Sequence, residues 1–216
     1  FLNFLPEAGD SLSLRGNLIR VIKEDRSGNL LIGTENGGLN VFHREKETFS
    51  HPFERSEKFK NKDISVNDII ADEEGRCWLA TDNNVLIYDT TGNIKALEPG
   101  SSDNGSSLEG NFVRNISFDN NGTLWIGTNS GLYTYAPGER GLEVFPLPFK
   151  EFQNQEIWEI YTDEEGLVWV GTYAAGFFII DPSQRKILKN ELNADIERSE
   201  TVRAISKGAF GEYWIG

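Results

Sequence analysis

The chain has 216 residues, with 34 Asp and Glu against 21 Lys and Arg, and its formal net charge is −13. This acidic balance argues against a nucleic-acid binder, which needs a positive surface, and no apolar run approaches the roughly 20 residues of a membrane helix. A hydrophobic fraction of 38% with 12% aromatic residues predicts a folded core rather than disorder.

A repeated unit runs through the chain in five copies. Each copy begins with two apolar residues three positions apart, passes an Asp-x-x-Gly turn and then reaches a strand of the Trp-Ile-Gly-Thr type. The turn glycines are spaced 47, 47, 44 and 45 residues apart, and they are Gly28, Gly75, Gly122, Gly166 and Gly211. A period of about 45 residues with several short strands per copy is typical of a β-propeller blade.

Each complete copy predicts four strands. In the first copy they lie around residues 19–22, 31–34, 39–42 and 48–49. The weaker fourth strands of the later copies are predicted around residues 94–97, 142–145 and 186–188. A small residue recurs in the second strand, where we expect neighbouring sheets to approach too closely for a larger side chain: Gly33, Ala80, Gly127 and Gly171.

The predicted fold is therefore all-β, a single β-propeller domain over residues 1–216. We expect blade units at residues 14–60, 61–107, 108–152 and 153–198, with an incomplete unit at 199–216. By the same register, residues 1–5 are the outer strand of a preceding blade. The pieces fit either a five-blade ring or a partial propeller of four whole blades and parts of two others. The end after Trp-Ile-Gly favours the partial propeller.

The residue after the first apolar position of each copy is the candidate ligand site. Ligands of propellers bind on one face, on loops that enter the innermost strand. The five positions hold Arg20, Asn67, Arg114, Trp158 and Arg203. An arginine can hold a carboxylate or a sulfate with two hydrogen bonds, and a tryptophan can stack on a sugar face. The competing interpretation is that these side chains only form salt bridges and packing between blades.

We assign structural roles to the other residues that could bind a metal ion, contact a ligand or take part in catalysis. The turn aspartates could be read as calcium ligands, but only one occurs in each blade, which indicates that each stabilises its own turn and that they do not share an ion. They are Asp25, Asp72, Asp119 and Asp163. The strand tryptophans are predicted to lie in the core between blades: Trp78, Trp125, Trp169 and Trp214. His43 and His51 are expected at the surface, and Cys77 is expected to be inert. This supply is poor for a zinc site or a catalytic triad, so we predict no catalytic residue, metal or cofactor.

The unit, cleanest from Val113 to Tyr135, resembles the two-component regulator propeller repeat. The resemblance runs from about residue 14 to the last residue, and it departs at Leu31 for Trp, Ala80 for Gly and Gly208 for Asp. It implies the sensory, usually periplasmic, part of a hybrid two-component protein. In such proteins two propellers and a small β-sandwich precede a membrane helix, a histidine kinase, a receiver and a DNA-binding domain. The resemblance also implies carbohydrate sensing, because the family's ligands are often oligosaccharides.

Three functions remain in competition at this point. The first is a periplasmic sensor that binds an oligosaccharide or another small ligand and signals to a kinase outside this segment. Its other partners would be the remaining propeller and β-sandwich parts of the same chain, and a homodimer stays open. The second is a propeller enzyme, a lyase or hydrolase. The third is a protein-binding scaffold, which ranks below sensing because the Gly-His and Trp-Asp pattern of WD-repeat propellers is missing.

Overall fold

The computed structural model describes residues 3–98, 107–108, 110–136, 141–147, 156–188 and 201–216. Within these residues the secondary structure is β-strand apart from one short 3-10 helix, Pro52–Arg55. None of them forms a helix with the length and apolarity that crossing a bilayer requires. The chain divides into two compact units, Phe1–Leu97 and Glu98–Gly216.

The first unit contains two four-stranded antiparallel sheets, each with its strands in chain order. The strands of the first sheet are β1 Ile19–Glu24, β2 Leu30–Thr34, β3 Gly38–His43 and β4 Thr48–Ser50. Those of the second sheet are β5 Val66–Ala71, β6 Cys77–Thr81, β7 Val85–Tyr88 and β8 Ile94–Ala96. Each sheet is the four-stranded meander of a propeller blade, and the predicted fourth strands are confirmed.

The second unit contains two further four-stranded sheets and one two-stranded sheet. The third sheet consists of β9 Val113–Phe118, β10 Leu124–Thr128, β11 Gly131–Ala136 and β12 Gly141–Val144. The fourth consists of β13 Ile157–Thr162, β14 Val168–Thr172, β15 Phe177–Asp181 and β16 Lys186–Leu188. The last consists of β17 Ile205–Lys207 and β18 Tyr213–Ile215. The all-β class with propeller-type sheets is therefore confirmed.

The turn between the first two strands of each four-stranded sheet is organised by one aspartate. In the third sheet, Oδ1 of Asp119 accepts the backbone N–H groups of Asn121 and Thr123 at 2.9 and 3.0 Å. Its Oδ2 accepts the indole N–H of Trp125 at 2.9 Å. Gly122 completes the turn with a φ of +78°, which glycine adopts without strain. The same bonds form around Asp72 and Asp163. The predicted turn role of the aspartates is confirmed.

The first and last copies reach the same turn with different residues. In the first, Leu31 replaces the tryptophan, and the side-chain amide of Asn29 donates to Oδ2 of Asp25 at 3.0 Å instead. In the last, Gly208 replaces the aspartate, and a carboxylate oxygen of Glu212 accepts the N–H of Phe210 at 3.0 Å. The turn thus requires a carboxylate and donors, but not fixed positions for them.

Close packing between sheets explains the recurring small residue of the second strand. A Cβ atom added to Gly33 would lie 2.7 Å from the carbonyl oxygen of Val66 on the next sheet. At Gly127 it would lie 2.8 Å from Cγ2 of Ile157. Such distances are far below van der Waals contact, so a larger residue would push the sheets apart. The packing role predicted for these glycines is confirmed.

Two predictions about the chain's elements need correction, and one element was not predicted. Residues 3–5 form no strand; instead Phe4 covers two apolar rings of the first sheet, Phe42 at 4.8 Å and Phe49 at 5.6 Å between centroids. Trp214 is 65% exposed rather than buried, because its sheet has only two strands among the residues described. The 3-10 helix after β4 carries no repeated pattern and was not predicted.

Candidate functional site

A β-bulge lies in the first strand of each four-stranded sheet. In the fourth sheet, Ile157 pairs with Thr172 and Glu159 pairs with Gly171, so Trp158 is an extra residue opposite two consecutive partners. The same register shift occurs in the other three sheets. The extra residues are Arg20, Asn67, Arg114 and Trp158. A bulge turns the side chain of the extra residue away from the regular strand ladder. The predicted site residues of these four sheets therefore all lie at the same kind of bulge.

The fifth predicted residue follows the same rule. The backbone N–H groups of Arg203 and Ala204 both donate to the carbonyl oxygen of Gly216, at 2.7 and 3.0 Å. Two residues therefore oppose one, as in the other bulges. In the second to fifth copies the bulge also explains why the two apolar residues, which are buried there, are three positions apart; in the first copy Ile19 and Ile22 are exposed. A regular strand would need an even spacing for both to face the core.

In the second unit, three of the predicted residues come together around one indole. The guanidinium carbon of Arg114 lies 4.4 Å from the ring centroid of Trp158. That of Arg203 lies 4.6 Å from the same centroid. Both distances are within the range of cation–π attraction. The cluster of Arg114, Trp158, Arg203 and Tyr173 is called the arginine–tryptophan cluster below.

The two arginines of the cluster have different surroundings. Arg114 forms an ion pair with Glu156 at 2.8 Å, and its guanidinium also lies 5.0 Å from the ring centroid of Phe112. Arg203 is exposed, and no carboxylate pairs with it within the part of the chain that the structure describes. Arg114 is therefore engaged in holding the cluster, whereas the hydrogen-bond donors of Arg203 are not taken up by a carboxylate of the described residues.

Tyr173 adds an exposed aromatic surface that the sequence analysis missed. Its ring stacks on Trp158 with centroids 6.3 Å apart and an interplanar angle of 22°, and the residue is 51% exposed. Its backbone N–H donates to the carbonyl oxygen of Glu156 at 3.0 Å, which fixes the turn that carries it. The signal was available, since the equivalent positions in the other complete copies are polar: Glu35, Asp82 and Asn129.

The two predicted site residues of the first unit have local partners. Arg20 forms an exposed ion pair with Glu35 at 2.7 Å. Asn67 is half-buried at the bulge of the second sheet. The structure therefore groups Arg114, Trp158 and Arg203 within the second unit, and it places Arg20 and Asn67 at equivalent bulges of the first unit.

The remaining candidate residues are mostly structural. Burial raises the pKa of the Cys77 thiol to about 11, which agrees with the expected inert role. His43 lies at the side of the first sheet and shares a hydrogen bond of 2.9 Å with the hydroxyl of Ser50. His51 is only 9% exposed, so its predicted surface location is wrong; it is enclosed beside the unpredicted 3-10 helix. No group of metal-ligating side chains occurs in the described part of the chain.

Comparison with known proteins finds a family model that matches three segments of this chain. The model of the two-component regulator propeller matches residues 13–36, 107–130 and 151–174. These segments hold the first two strands of three of the sheets. A histidine kinase of Formosa agariphila, Histidine kinase P4, is 34% identical over 91 residues. The match covers 40% of this chain and 6% of the kinase, so this chain spans a small part of that relative.

Solved structures support the fold at lower identity. The extracellular domain of a proposed hybrid two-component system of B. thetaiotaomicron superposes with a TM-score of 0.54 at 19% identity, covering 98% of this chain and 34% of that one. Virginiamycin B lyase of Staphylococcus aureus gives a TM-score of 0.65 at 15% identity, over 95% of this chain and 65% of that one. The family match confirms the resemblance of these three segments to the two-component regulator propeller repeat, and the solved structures agree with the propeller fold.

Proposed function

We propose that this chain is part of the ligand-sensing region of a hybrid two-component sensor. It lies outside the cytoplasm, in the periplasm, and recognises an oligosaccharide through the arginine–tryptophan cluster. The family match and the kinase relative support the sensor assignment. The observation that carries the ligand assignment is the exposed Tyr173 ring stacked beside Trp158, with the Arg203 guanidinium at the same indole.

The cluster offers the groups that sugars require. Aromatic faces pack against the C–H face of a sugar ring, and Tyr173 exposes such a face. The guanidinium of Arg203 presents several N–H donors in one plane to hydroxyl or carboxylate oxygens. Arg114 and Glu156 neutralise each other, so the cluster carries one net positive charge on a chain whose formal charge is −13. We therefore expect acidic oligosaccharides to bind more tightly than neutral ones.

Signalling follows from differential affinity. A ligand that binds one arrangement of the sensor more tightly shifts the population toward that arrangement. The kinase that responds lies outside this segment, in the longer protein that the relatives indicate. In this scheme the sheets support the cluster rigidly. Ligand binding then shifts the conformational equilibrium of the parts of the sensor that follow this segment.

An enzyme is the second candidate, because one structure with this fold is a lyase. At 15% identity that likeness concerns the fold alone. The arginine–tryptophan cluster offers binding groups rather than an acid–base pair, since its neighbouring carboxylate, Glu156, is held by Arg114. General acid–base catalysis needs a group that is free to take up or release a proton. We therefore propose that this segment binds its ligand without converting it.

Isothermal titration calorimetry with neutral and acidic oligosaccharides tests the proposal. We expect one acidic oligosaccharide to bind, and Arg203→Gln to weaken it at least tenfold, since a hydrogen bond to a charged group contributes about 1.5–3 kcal/mol. Trp158→Ala should weaken it as strongly. Arg44→Gln is the matched control: it removes an exposed arginine that pairs with Glu24 in the first sheet, and it should leave the affinity unchanged.

Two results would contradict the proposal. Turnover of one of the oligosaccharides would establish an enzyme. Unchanged affinity in both cluster variants, with folding verified by circular dichroism, would place the binding site elsewhere.

A further inference from the structure

A cleft of about 800 Å³ lies in the first unit, among residues that the sequence analysis did not connect. Three segments line it: residues 6–16 before β1, residues 35–39 at the turn into β3, and residues 51–63 around the 3-10 helix. All of them are described, and none belongs to the arginine–tryptophan cluster. A cleft of this volume is large enough for a small organic ligand.

The walls of the cleft are fixed by buried hydrogen bonds. Asn40, which is fully buried, accepts the backbone N–H of Arg15 at 2.8 Å and donates to its carbonyl oxygen at 3.1 Å. The hydroxyl of Thr34 donates to the same carbonyl oxygen at 3.0 Å. On the opposite side, a Cβ atom at Gly38 would lie 2.7 Å from the ring of Phe53. The cleft is thus preformed, and little ordering is needed when a ligand binds.

The inner surface of the cleft is apolar. Leu14, Leu39, Phe53 and Phe59 are at most 7% exposed. The two phenyl rings lie 6.0 Å apart, and the Nζ atom of Lys58 already lies 5.6 Å from the Phe59 ring centroid. An apolar ligand skeleton suits this surface, and the aromatic rings attract a cation.

The rim of the cleft is acidic once its ion pairs are taken into account. Arg15 pairs with Glu54, and Glu35 pairs with Arg20. Among the described residues of the lining, the carboxylates without an ion pair are Glu7, Asp10 and Asp63, against one ammonium group, that of Lys62. The balance favours a positively charged ligand over a negative one.

His51 also lines the cleft and is 9% exposed. Burial, and after it the charge of Arg15, lower the pKa of the imidazole below its usual 6.5, although backbone hydrogen bonds with Ser13 and Ser11 act in the opposite direction. The ring is therefore mainly neutral at pH 7 and adds no positive charge that would oppose a cation in the cleft.

We propose that this cleft binds an organic cation, a ligand with an ammonium or guanidinium group on an apolar carbon skeleton. The skeleton packs on the phenylalanine rings, and the cationic group lies among the rim carboxylates. This site is separate from the arginine–tryptophan cluster and favours the opposite charge, so it stands whether or not the cluster binds a sugar.

Three probes with one six-carbon skeleton test the proposal on the full chain: hexamethylenediamine, hexanediol and adipate. Binding is followed by amide chemical-shift changes in NMR spectra. We expect the diamine to bind with shifts concentrated at residues 35–39 and 51–63, the diol to bind about tenfold more weakly, and the diacid not to bind. The double variant Glu7→Gln/Asp63→Asn should weaken the diamine about tenfold, because it removes two of the three rim carboxylates that have no ion pair.

The control removes two exposed carboxylates of the same unit that do not line the cleft, Glu45→Gln/Glu73→Gln. It should leave the affinity for the diamine unchanged. An equal loss of affinity in both double variants, or shifts spread over the whole acidic surface, would show general attraction of cations and overturn the proposal. Diol binding as tight as diamine binding would overturn it as well.

Discussion

The two ends of each sheet use repetition in opposite ways. At the turn end, Asp72, Asp119 and Asp163 make the same three hydrogen bonds in three sheets. At the bulge end, the backbone is repeated just as faithfully, but the side chain changes from arginine to asparagine or tryptophan. A repeated backbone with repeated contacts maintains the fold, whereas a repeated backbone with changing side chains is free to serve a ligand.

The largest expected effect compares one residue type at both ends. Trp125 is 2% exposed, donates to Asp119 and packs on Phe145 with centroids 5.0 Å apart. Trp125→Ala should therefore lower the free energy of unfolding by about 3–5 kcal/mol. Trp158→Ala, at the bulge end, removes a half-buried ring and its cation–π contacts and should cost only about 1–2 kcal/mol. Urea denaturation measures both, and equal losses would mean that the bulge end also maintains the fold.

A second prediction concerns acid. Burial raises the pKa of Asp72, but hydrogen bonds from Trp78 and Arg76 outweigh it, so the pKa lies below its usual 3.8. The stability that this carboxylate contributes is complete above pH 3.8 and is lost as the pH falls through the lowered value. Asp72→Asn should flatten the acid side of the stability profile.

A control variant sharpens this test. Glu73→Gln changes an exposed carboxylate of the same turn and should keep the wild-type profile. An acid side that stays intact in Asp72→Asn would show that the turn carboxylate contributes no pH-dependent stability.

The smallest expected effect lies at the bulge end of the first sheet. The ion pair between Arg20 and Glu35 has side chains that are 36% and 37% exposed. Such pairs contribute between about 0.2 and 1 kcal/mol, so Arg20→Gln should change the free energy of unfolding by less than about 1 kcal/mol. A double-mutant cycle with Glu35→Gln measures the coupling. A coupling above about 2 kcal/mol would give this bulge a structural role.

The sequence predicted those parts of the molecule that recur. Strands, turns and the small residue of the second strand appear in several copies. A weak pattern in one copy is therefore supported by the clearer pattern in the others. The bulges could also have been predicted. Apolar residues three positions apart, such as Val113 and Ile116, both point into the core only if the strand contains one extra residue between them. The register placed the five candidate residues at equivalent positions, but it did not predict that each lies at a bulge.

The parts that occur once were missed. The 3-10 helix Pro52–Arg55 and the burial of His51 depend on a connection between sheets that no other copy resembles. Tyr173 was missed because the prediction relied on positions where the copies agree, whereas Tyr173 differs from the equivalent residues of the other copies. The approach of two guanidinium groups to Trp158 also depends on how neighbouring sheets pack, which no local pattern encodes.

The turn of the first copy bears on how such repeats tolerate mutation. In the second, third and fourth sheets one tryptophan supplies both a packed ring and the donor to the aspartate, so a single substitution removes both. In the first sheet Leu31 fills the core and Asn29 supplies the donor. Either function can be lost or improved there by one codon change while the other is kept. The first sheet can therefore lose or change one of these functions without losing the other. We expect blades of this kind to tolerate sequence divergence better than blades in which one tryptophan has both functions.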